Sequence, residues 1–162
     1  QQALYSESKL VAVRYPRGAQ RAIPESIKPT FADFDVFGDE NAEKAIITYG
    51  RTFSACAFAY EKLVNSGESV KLIKLNRIIP VCEGAVEAAK DCRDVYFFEE
   101  GIRRGGAGEG FLFDLSKAGF SGKYHLRAIE NGFVKQASVE SLLHKYGFDE
   151  EGVLSFVTSV EA

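Results

Sequence analysis

The stretch AIITYG, residues 45–50, decides the fold of this chain. The run from Ala45 to Tyr49 is short and mostly apolar, and Gly50 ends it, which is typical of a buried parallel strand that turns into a helix. The helix follows as an apolar stripe at three- and four-residue spacings, and Gly67 stands where a left-handed cap would end it. The stripe consists of Phe53, Cys56, Ala57, Tyr60, Leu63 and Val64.

The same alternation of strand and helix continues to the end of the chain. Apolar runs predict strands at residues 70–75, 95–99 and 124–129, with helices between them and two more helices after the last strand. Aromatic and acidic residues alternate over residues 31–37, which predicts an edge or hairpin strand with one wet face. The order of these elements predicts an α/β fold of three layers, a mostly parallel five-stranded sheet with helices on both faces.

Upstream of this region, VAVRYPRG at residues 11–18 predicts a strand that ends at Tyr15 and presents Arg14 and Arg17 around a proline turn. A planar guanidinium can meet the paired oxygens of a phosphate or a carboxylate, so the two arginines are candidates for an anion cradle. The alternative is an ordinary edge strand with solvated arginines. The polar stretch that follows, residues 19–29, is typical of a linker.

Composition excludes several classes of protein. A net charge of −3 over 162 residues argues against a nucleic-acid-binding chain, and no apolar run is long enough to span a membrane. The three cysteines lack CxxC spacing and lie far from both histidines, so neither a disulfide framework nor a metal site is expected. These features favour one soluble domain in a reducing cytoplasm. The chain starts with Gln1 rather than Met, which suggests a piece of a longer polypeptide, although a processed or tagged start would have the same appearance.

The motif search predicts no catalytic residue. GGAGEG, residues 105–110, fails both the dinucleotide fingerprint and the phosphate-loop pattern, which leaves tight packing, an interface turn or anion binding at a helix start as its role. Ser54 and Ser138 have no histidine at a motif spacing, and either structure or function could place the acidic pair Glu99 and Glu100 at a strand end. His125 and His144 are interpreted as structural or solvated.

Four segments together resemble the C-terminal part of the 1-deoxy-D-xylulose-5-phosphate synthase family, thiamine-diphosphate enzymes of the transketolase superfamily. They are VAVRYPRG at 11–18, AIITYG at 45–50, VYFFEEGIRRGGAGEG at 95–110 and ENGFVKQASVESLLHKYGFDEEGV at 130–153. The resemblance implies that residues 1–18 end a pyrimidine-binding domain, that residues 19–29 form a linker, and that residues 30–162 form a domain like the C-terminal domain of transketolase.

The resemblance also implies an activity for the full-length enzyme. Members of this family condense pyruvate with glyceraldehyde 3-phosphate, release carbon dioxide and feed isoprenoid, thiamine and pyridoxal phosphate synthesis. Arg17 would contact the acceptor phosphate, and Arg14 is a weaker candidate for the same role. The cofactors of the full-length enzyme would be thiamine diphosphate and Mg²⁺, but the Gly-Asp-Gly signature is absent here, so this chain is expected to bind neither. It would pack against the other domains of its polypeptide and help to build a homodimer.

Two alternatives remain open from the sequence. The chain could be the matching domain of another superfamily member, either transketolase or the β subunit of a 2-oxoacid dehydrogenase, or it could be a free-standing interaction or anion-binding module. One departure from the family pattern concerns residues 79–82, where Ile79, Pro80, Val81 and Cys82 replace the usual Lys-Pro-Leu-Asp. Any function of that loop is therefore in doubt.

Overall fold

The computed structural model of the chain describes residues 10–16, 21–130 and 132–159. Within these residues the strands are β1 (Phe34–Phe37), β2 (Lys44–Thr48), β3 (Val70–Leu75), β4 (Asp94–Ile102) and β5 (Lys123–Ile129). The helices are α1 (Thr52–Asn65), α2 (Glu83–Lys90), α3 (Ala107–Lys117), α4 (Val139–Tyr146) and α5 (Glu150–Ser159). No helix in this part of the chain is both long enough and apolar enough to cross a bilayer.

The strands form one sheet in the order β1-β3-β2-β4-β5, which confirms the predicted mostly parallel five-stranded sheet. Strands β2 to β5 pair in parallel, and β1 joins the edge of β3 in the antiparallel direction. At the centre of the sheet, Ile47 lies opposite Ile73 on one side and Phe97 on the other. Every residue of β2 is buried, because this strand has a neighbour on each side and helices over both faces.

Alternating residues of the central strands feed two separate cores, one on each face of the sheet. Ile46, Leu72 and Tyr96 pack with α1 and α5 on one face. Ile47 and Phe97 pack with α2 and α3 on the other face. This division follows from the two-residue side-chain period of a strand, and it confirms the predicted three-layer arrangement. The helical stripe after β2 is also confirmed, except that Val64 at its end is exposed.

The predicted N-terminal strand is absent from the described residues. Residues 10–16 pair with no strand and all seven are exposed. A strand needs hydrogen bonds to a neighbour, and the described part of the chain offers this segment none. Arg17 lies outside the described residues, so its predicted position on a stiff element remains a prediction.

The described part of the predicted linker, residues 21–29, is attached to the domain. Ile27 is buried in the core beneath α1. The Ser54 hydroxyl donates a hydrogen bond to the carbonyl oxygen of Ala22 over 2.5 Å. The Ser26 hydroxyl donates a hydrogen bond to the Glu61 carboxylate over 2.8 Å. Residues 21–29 therefore run along α1 as a packed segment, which the polar composition alone did not indicate.

Strand β1 is an edge strand as predicted, but its predicted wet face is wrong. Asp35 is buried, and its carboxylate accepts hydrogen bonds from the Thr30 backbone N–H over 3.0 Å and from Asn76 Nδ2 over 2.9 Å. Burial opposes ionisation of Asp35, but the hydrogen bonds from Thr30 and Asn76 outweigh it and lower the pKa of this carboxyl. A buried charge is tolerated here because its hydrogen-bonding needs are met inside the protein.

Candidate functional site

The carboxyl ends of the parallel strands meet at one edge of the sheet, where α/β proteins commonly bind ligands. Tyr49 follows the last residue of β2, and Glu99 occupies the next position after Phe98 on the neighbouring strand β4. The chain then turns through residues 103–106 into α3, whose first turn lies against Glu99. This edge of the sheet, with Tyr49 and Glu99 at its centre, is the candidate site.

The carboxylate of Glu99 is the centre of the site, and its side chain is only 1% exposed. It accepts hydrogen bonds from the backbone N–H of Ala107 over 3.0 Å, from the backbone N–H of Gly108 over 3.0 Å and from the Tyr49 hydroxyl over 2.9 Å. The first backbone N–H groups of a helix have no partner within the helix, and the helix dipole favours negative charge there. Glu99 therefore caps α3 from a neighbouring strand.

The glycines around Glu99 make this close approach possible. A Cβ atom at Gly106 would overlap both the Glu99 carboxylate and the carbonyl oxygen of Ile102, and one at Gly108 would overlap Leu126 and crowd Glu99. Of the interpretations of GGAGEG, the structure bears out tight packing. Since the carboxylate of Glu99 already accepts from the amides at the start of α3, this helix terminus is closed to an external anion.

Two tyrosines surround the carboxylate and remain protonated. Burial, followed by the charge of Glu99, raises the pKa of Tyr49 and the pKa of Tyr124 well above the ordinary tyrosine value. The Tyr124 hydroxyl donates to the carbonyl oxygen of Gly108 over 2.7 Å, inside the first turn of α3. Both hydroxyls thus serve as hydrogen-bond donors at neutral pH.

The two residues of the acidic pair, Glu99 and Glu100, have different surroundings. Glu99 is buried and hydrogen-bonded, whereas Glu100 is exposed. The signal for the partner of Glu99 was present in the chain, because Tyr49 and Glu99 stand at the ends of two predicted parallel strands. It could not be used without the strand order, which places β2 beside β4.

The structure describes one of the two predicted phosphate-binding residues. Arg14 is exposed, and its positive charge acts on the Tyr49 hydroxyl, where it opposes the increase in the pKa of that group. Arg17 lies outside the described residues, and its role as a phosphate ligand remains a prediction.

The remaining candidate side chains have structural partners. The Ser138 hydroxyl accepts from the backbone N–H of Ser141 and caps α4. The His125 ring contacts the Asp94 carboxylate over 3.0 Å, and the His144 ring contacts Asp149 over 2.7 Å. Among the described residues, no three histidine, cysteine or acidic side chains gather as metal ligands.

Cys82 should be the thiol that reacts with iodoacetamide in the native protein. Burial raises the pKa of Cys56 to about 12 and also raises the pKa of Cys92, so neither forms the reactive thiolate readily. Cys82 is partly exposed in the loop before α2. Peptide mass spectrometry after brief alkylation measures the modified position, and the Cys82→Ser variant is the control. Rapid modification of Cys56 without denaturant would contradict this prediction.

Comparison with protein families places the chain in a known group. The sequence pattern that describes the C-terminal domain of transketolase matches residues 38–153. This range runs from the end of β1 into α5 and includes the Glu99 site.

The relatives of known name are several times longer than this chain. The 1-deoxy-D-xylulose-5-phosphate synthase of Shouchella clausii is 25% identical over 93% of this chain and 24% of its own length. The synthase of Geobacillus thermodenitrificans is 27% identical over 98% of this chain and 26% of its own length. The synthase of Clostridium botulinum strain Eklund 17B is 30% identical over 86% of this chain and 23% of its own length. The chain thus spans about a quarter of the length of these relatives.

A solved structure described as a split gene transketolase, inactive β4 tetramer, has a similar fold. It matches with a TM-score of 0.71 and 20% identity over 85% of this chain and 46% of that chain. At this identity the likeness concerns the fold alone, and it agrees with the three-layer architecture described above.

Proposed function

The chain belongs to the transketolase C-terminal domain family, and from this premise we propose that it is the C-terminal domain of a 1-deoxy-D-xylulose-5-phosphate synthase. The observation that carries the proposal is the extent of the match to named relatives. An alignment that covers 98% of this chain includes the VAVRYPRG segment as well as the domain itself. The regions of this relative that align with the VAVRYPRG segment and with the domain follow one another in the same order as in this chain.

The proposed reaction belongs to the full-length enzyme. It joins pyruvate to glyceraldehyde 3-phosphate, releases the carboxyl group of pyruvate as carbon dioxide, and yields 1-deoxy-D-xylulose 5-phosphate. Thiamine diphosphate and Mg²⁺ supply the carbanion chemistry when bound to other parts of the enzyme. The described residues do not fit this cofactor. The glycine-rich start of α3 is the place that could receive a diphosphate, but its backbone N–H groups already donate to the Glu99 carboxylate. A second anion there would be repelled by the charge of Glu99.

The contribution proposed for this chain is recognition and packing. Arg17 donates hydrogen bonds to the phosphate of the acceptor, and Arg14 is a weaker candidate for the same role. The domain itself packs against the other domains of its polypeptide, supports a homodimer and works in the cytoplasm. The segment 10–16 supports this proposal, because its apolar side chains Leu10, Val11, Val13 and Tyr15 are exposed and packing against another domain would cover them.

The direct test is an assay of the longer polypeptide encoded by the gene from which this chain comes. With thiamine diphosphate and Mg²⁺, we expect one carbon dioxide and one 1-deoxy-D-xylulose 5-phosphate for each pyruvate and glyceraldehyde 3-phosphate consumed. Transfer of a two-carbon unit between sugar phosphates would support transketolase instead. A coding sequence without a Gly-Asp-Gly region upstream would reject the proposal.

The 162-residue chain alone should not bind thiamine diphosphate. Isothermal titration with the cofactor and Mg²⁺ should show only heat of dilution, because the carboxylate of Glu99 closes the start of α3 to a diphosphate. The longer polypeptide, titrated under the same conditions, is the positive control. Saturable binding by the 162-residue chain at micromolar cofactor would contradict this expectation.

A further inference from the structure

Residues 21–29 are attached to the domain from their first residue onward. The Arg21 guanidinium donates a hydrogen bond to the Glu140 carboxylate of α4 over 3.1 Å. At the next position, the carbonyl oxygen of Ala22 accepts a hydrogen bond from the Ser54 hydroxyl of α1 over 2.5 Å. Two different helices therefore hold the start of this segment, and we call residues 21–29 the anchored linker.

Apolar burial fixes the middle of the anchored linker. Ile27 is only 4% exposed, Pro24 is buried, and Ile23 packs against the core beneath α1. The backbone N–H of Ile27 donates to the carbonyl oxygen of Pro24 over 3.1 Å and closes a turn. Directly after the anchored linker, the backbone N–H of Thr30 donates to the buried Asp35 carboxylate over 3.0 Å. A segment with buried side chains and backbone partners has far fewer conformations than a free linker of the same length.

The anchored linker begins close in sequence to the proposed phosphate ligand. Arg17 precedes Arg21 by four positions, and a chain of four residues spans at most about 14 Å. If residues 21–29 were free, the first fixed residue would be Thr30, 13 positions after Arg17, and the chain between them could span about 45 Å. The contacts of the anchored linker thus shorten the tether between the domain and Arg17 about threefold.

We propose that Ser54 and Glu140, which hold Ala22 and Arg21, are positioning residues for Arg17. This inference rests on the proposed function, in which Arg17 contacts the acceptor phosphate and the domain packs within the longer enzyme. The domain is then a fixed support, and the anchored linker restrains the guanidinium through a short tether. A guanidinium needs one orientation to donate two parallel hydrogen bonds to a phosphate, and a small misplacement lowers the reaction rate.

The double variant Ser54→Ala, Glu140→Gln of the longer polypeptide removes both contacts at the start of the anchored linker and retains Arg17. We expect kcat/KM for glyceraldehyde 3-phosphate to fall by about 5- to 20-fold, because the guanidinium is no longer restrained. With unphosphorylated glyceraldehyde as the acceptor, kcat/KM should change by about twofold or less, since this acceptor offers no phosphate. A purely structural role would lower both values together.

The matched control is the double variant Ser116→Ala, Glu130→Gln. The Ser116 hydroxyl donates to a backbone carbonyl of its own helix, α3, over 2.8 Å, and Glu130 pairs with Arg103 over 2.7 Å. The Glu130 side chain is 75% exposed, as against 77% for Glu140. The control therefore removes the same types of contact outside the anchored linker, and we expect it to leave the use of both acceptors unchanged.

A Gly-Ser-Gly insertion directly before Arg21 tests the tether without removing a contact of the anchored linker. It adds about 10 Å of reach between the domain and Arg17. The use of glyceraldehyde 3-phosphate should fall to a similar extent as in the Ser54→Ala, Glu140→Gln variant. The use of unphosphorylated glyceraldehyde should again be retained.

Hydrogen exchange of the 162-residue chain measures the anchoring independently of activity. Peptides from the anchored linker should exchange about fivefold to tenfold faster in the Ser54→Ala, Glu140→Gln variant, because local opening no longer breaks these contacts. Peptides from β2 should keep their rates, which shows that the variant is folded. Unchanged exchange of the anchored linker would overturn the inference, since the two contacts would then not hold it.

The outcomes separate this inference from the proposed function. In a variant that lacks Arg17 (Arg17→Ala), the changes at Ser54 and Glu140 should cause no further loss, because residues that act through one another are not additive. A further loss there, equal losses for both acceptors, or faster exchange without any change in acceptor use would overturn the positioning role and leave the reaction standing. A longer polypeptide that forms no 1-deoxy-D-xylulose 5-phosphate would reject the proposed function and this inference with it.

Discussion

Glu99→Ala should lower the free energy of unfolding by about 3–5 kcal/mol, because it leaves several buried donors without an acceptor. The carboxylate of Glu99 accepts from the backbone N–H groups of Ala107 and Gly108 and from the Tyr49 hydroxyl. Water cannot replace it fully, since the side chain is 1% exposed and glycines pack around it. The start of α3 would also lose the negative charge that its dipole favours.

Urea unfolding followed by circular dichroism measures this effect. Glu100→Ala is the matched control, since it removes the same type of side chain one position away on the exposed side of the strand, and it should change stability by about 0.5 kcal/mol or less. Glu99→Gln should fall between the two, because an amide retains one acceptor oxygen while its own donors face the donors of α3. Equal stability of Glu99→Ala and Glu100→Ala would show that the carboxylate does not hold α3.

Arg17→Ala in the longer enzyme should reduce kcat/KM for glyceraldehyde 3-phosphate by on the order of 30- to 1,000-fold, equivalent to about 2–4 kcal/mol. A guanidinium that donates two hydrogen bonds to a dianionic phosphate contributes charge and orientation together, and alanine provides neither. Pyruvate carries no phosphate. Its kcat/KM, measured at saturating acceptor, should change far less.

Two comparisons make the Arg17 experiment specific. Unphosphorylated glyceraldehyde as the acceptor should be used almost equally by the parent enzyme and by Arg17→Ala, since the missing contact is to the phosphate. Arg104→Ala removes an exposed arginine elsewhere at the carboxyl edge and serves as the charge control. An equal loss for both substrates, or an equal loss for both acceptors, would reject the phosphate role.

Elements with a strong periodic pattern could be predicted from the chain. The apolar run of residues 70–75 became β3 with the predicted bounds, and the stripe from Phe53 to Leu63 became the buried face of α1. Gly67 takes the positive φ angle expected of a residue that follows a helix. Each of these features depends on interactions between residues that are close in sequence, which a local pattern records.

The errors concern segments whose structure depends on distant partners. Residues 11–15 have a strand-like pattern, yet no neighbouring strand is present among the described residues to complete their hydrogen bonds. Asp35 belongs to an alternating edge pattern that predicted a wet face. Instead it is buried, because Thr30 and Asn76 donate to its carboxylate, and Asn76 is 41 residues away.

The sequence by itself determined the order of the strands and helices and the three-layer class, because periodicity and turn residues act over short distances. It indicated the family through the resemblance of four segments. Only the tertiary structure decided that Glu99 is buried while Glu100 is exposed, and that Glu99 meets Tyr49 and the start of α3. The physical reason is the strand order. Pairing of β2 with β4 brings together residues 50 positions apart, and no local pattern in the chain specifies which parallel strands become neighbours.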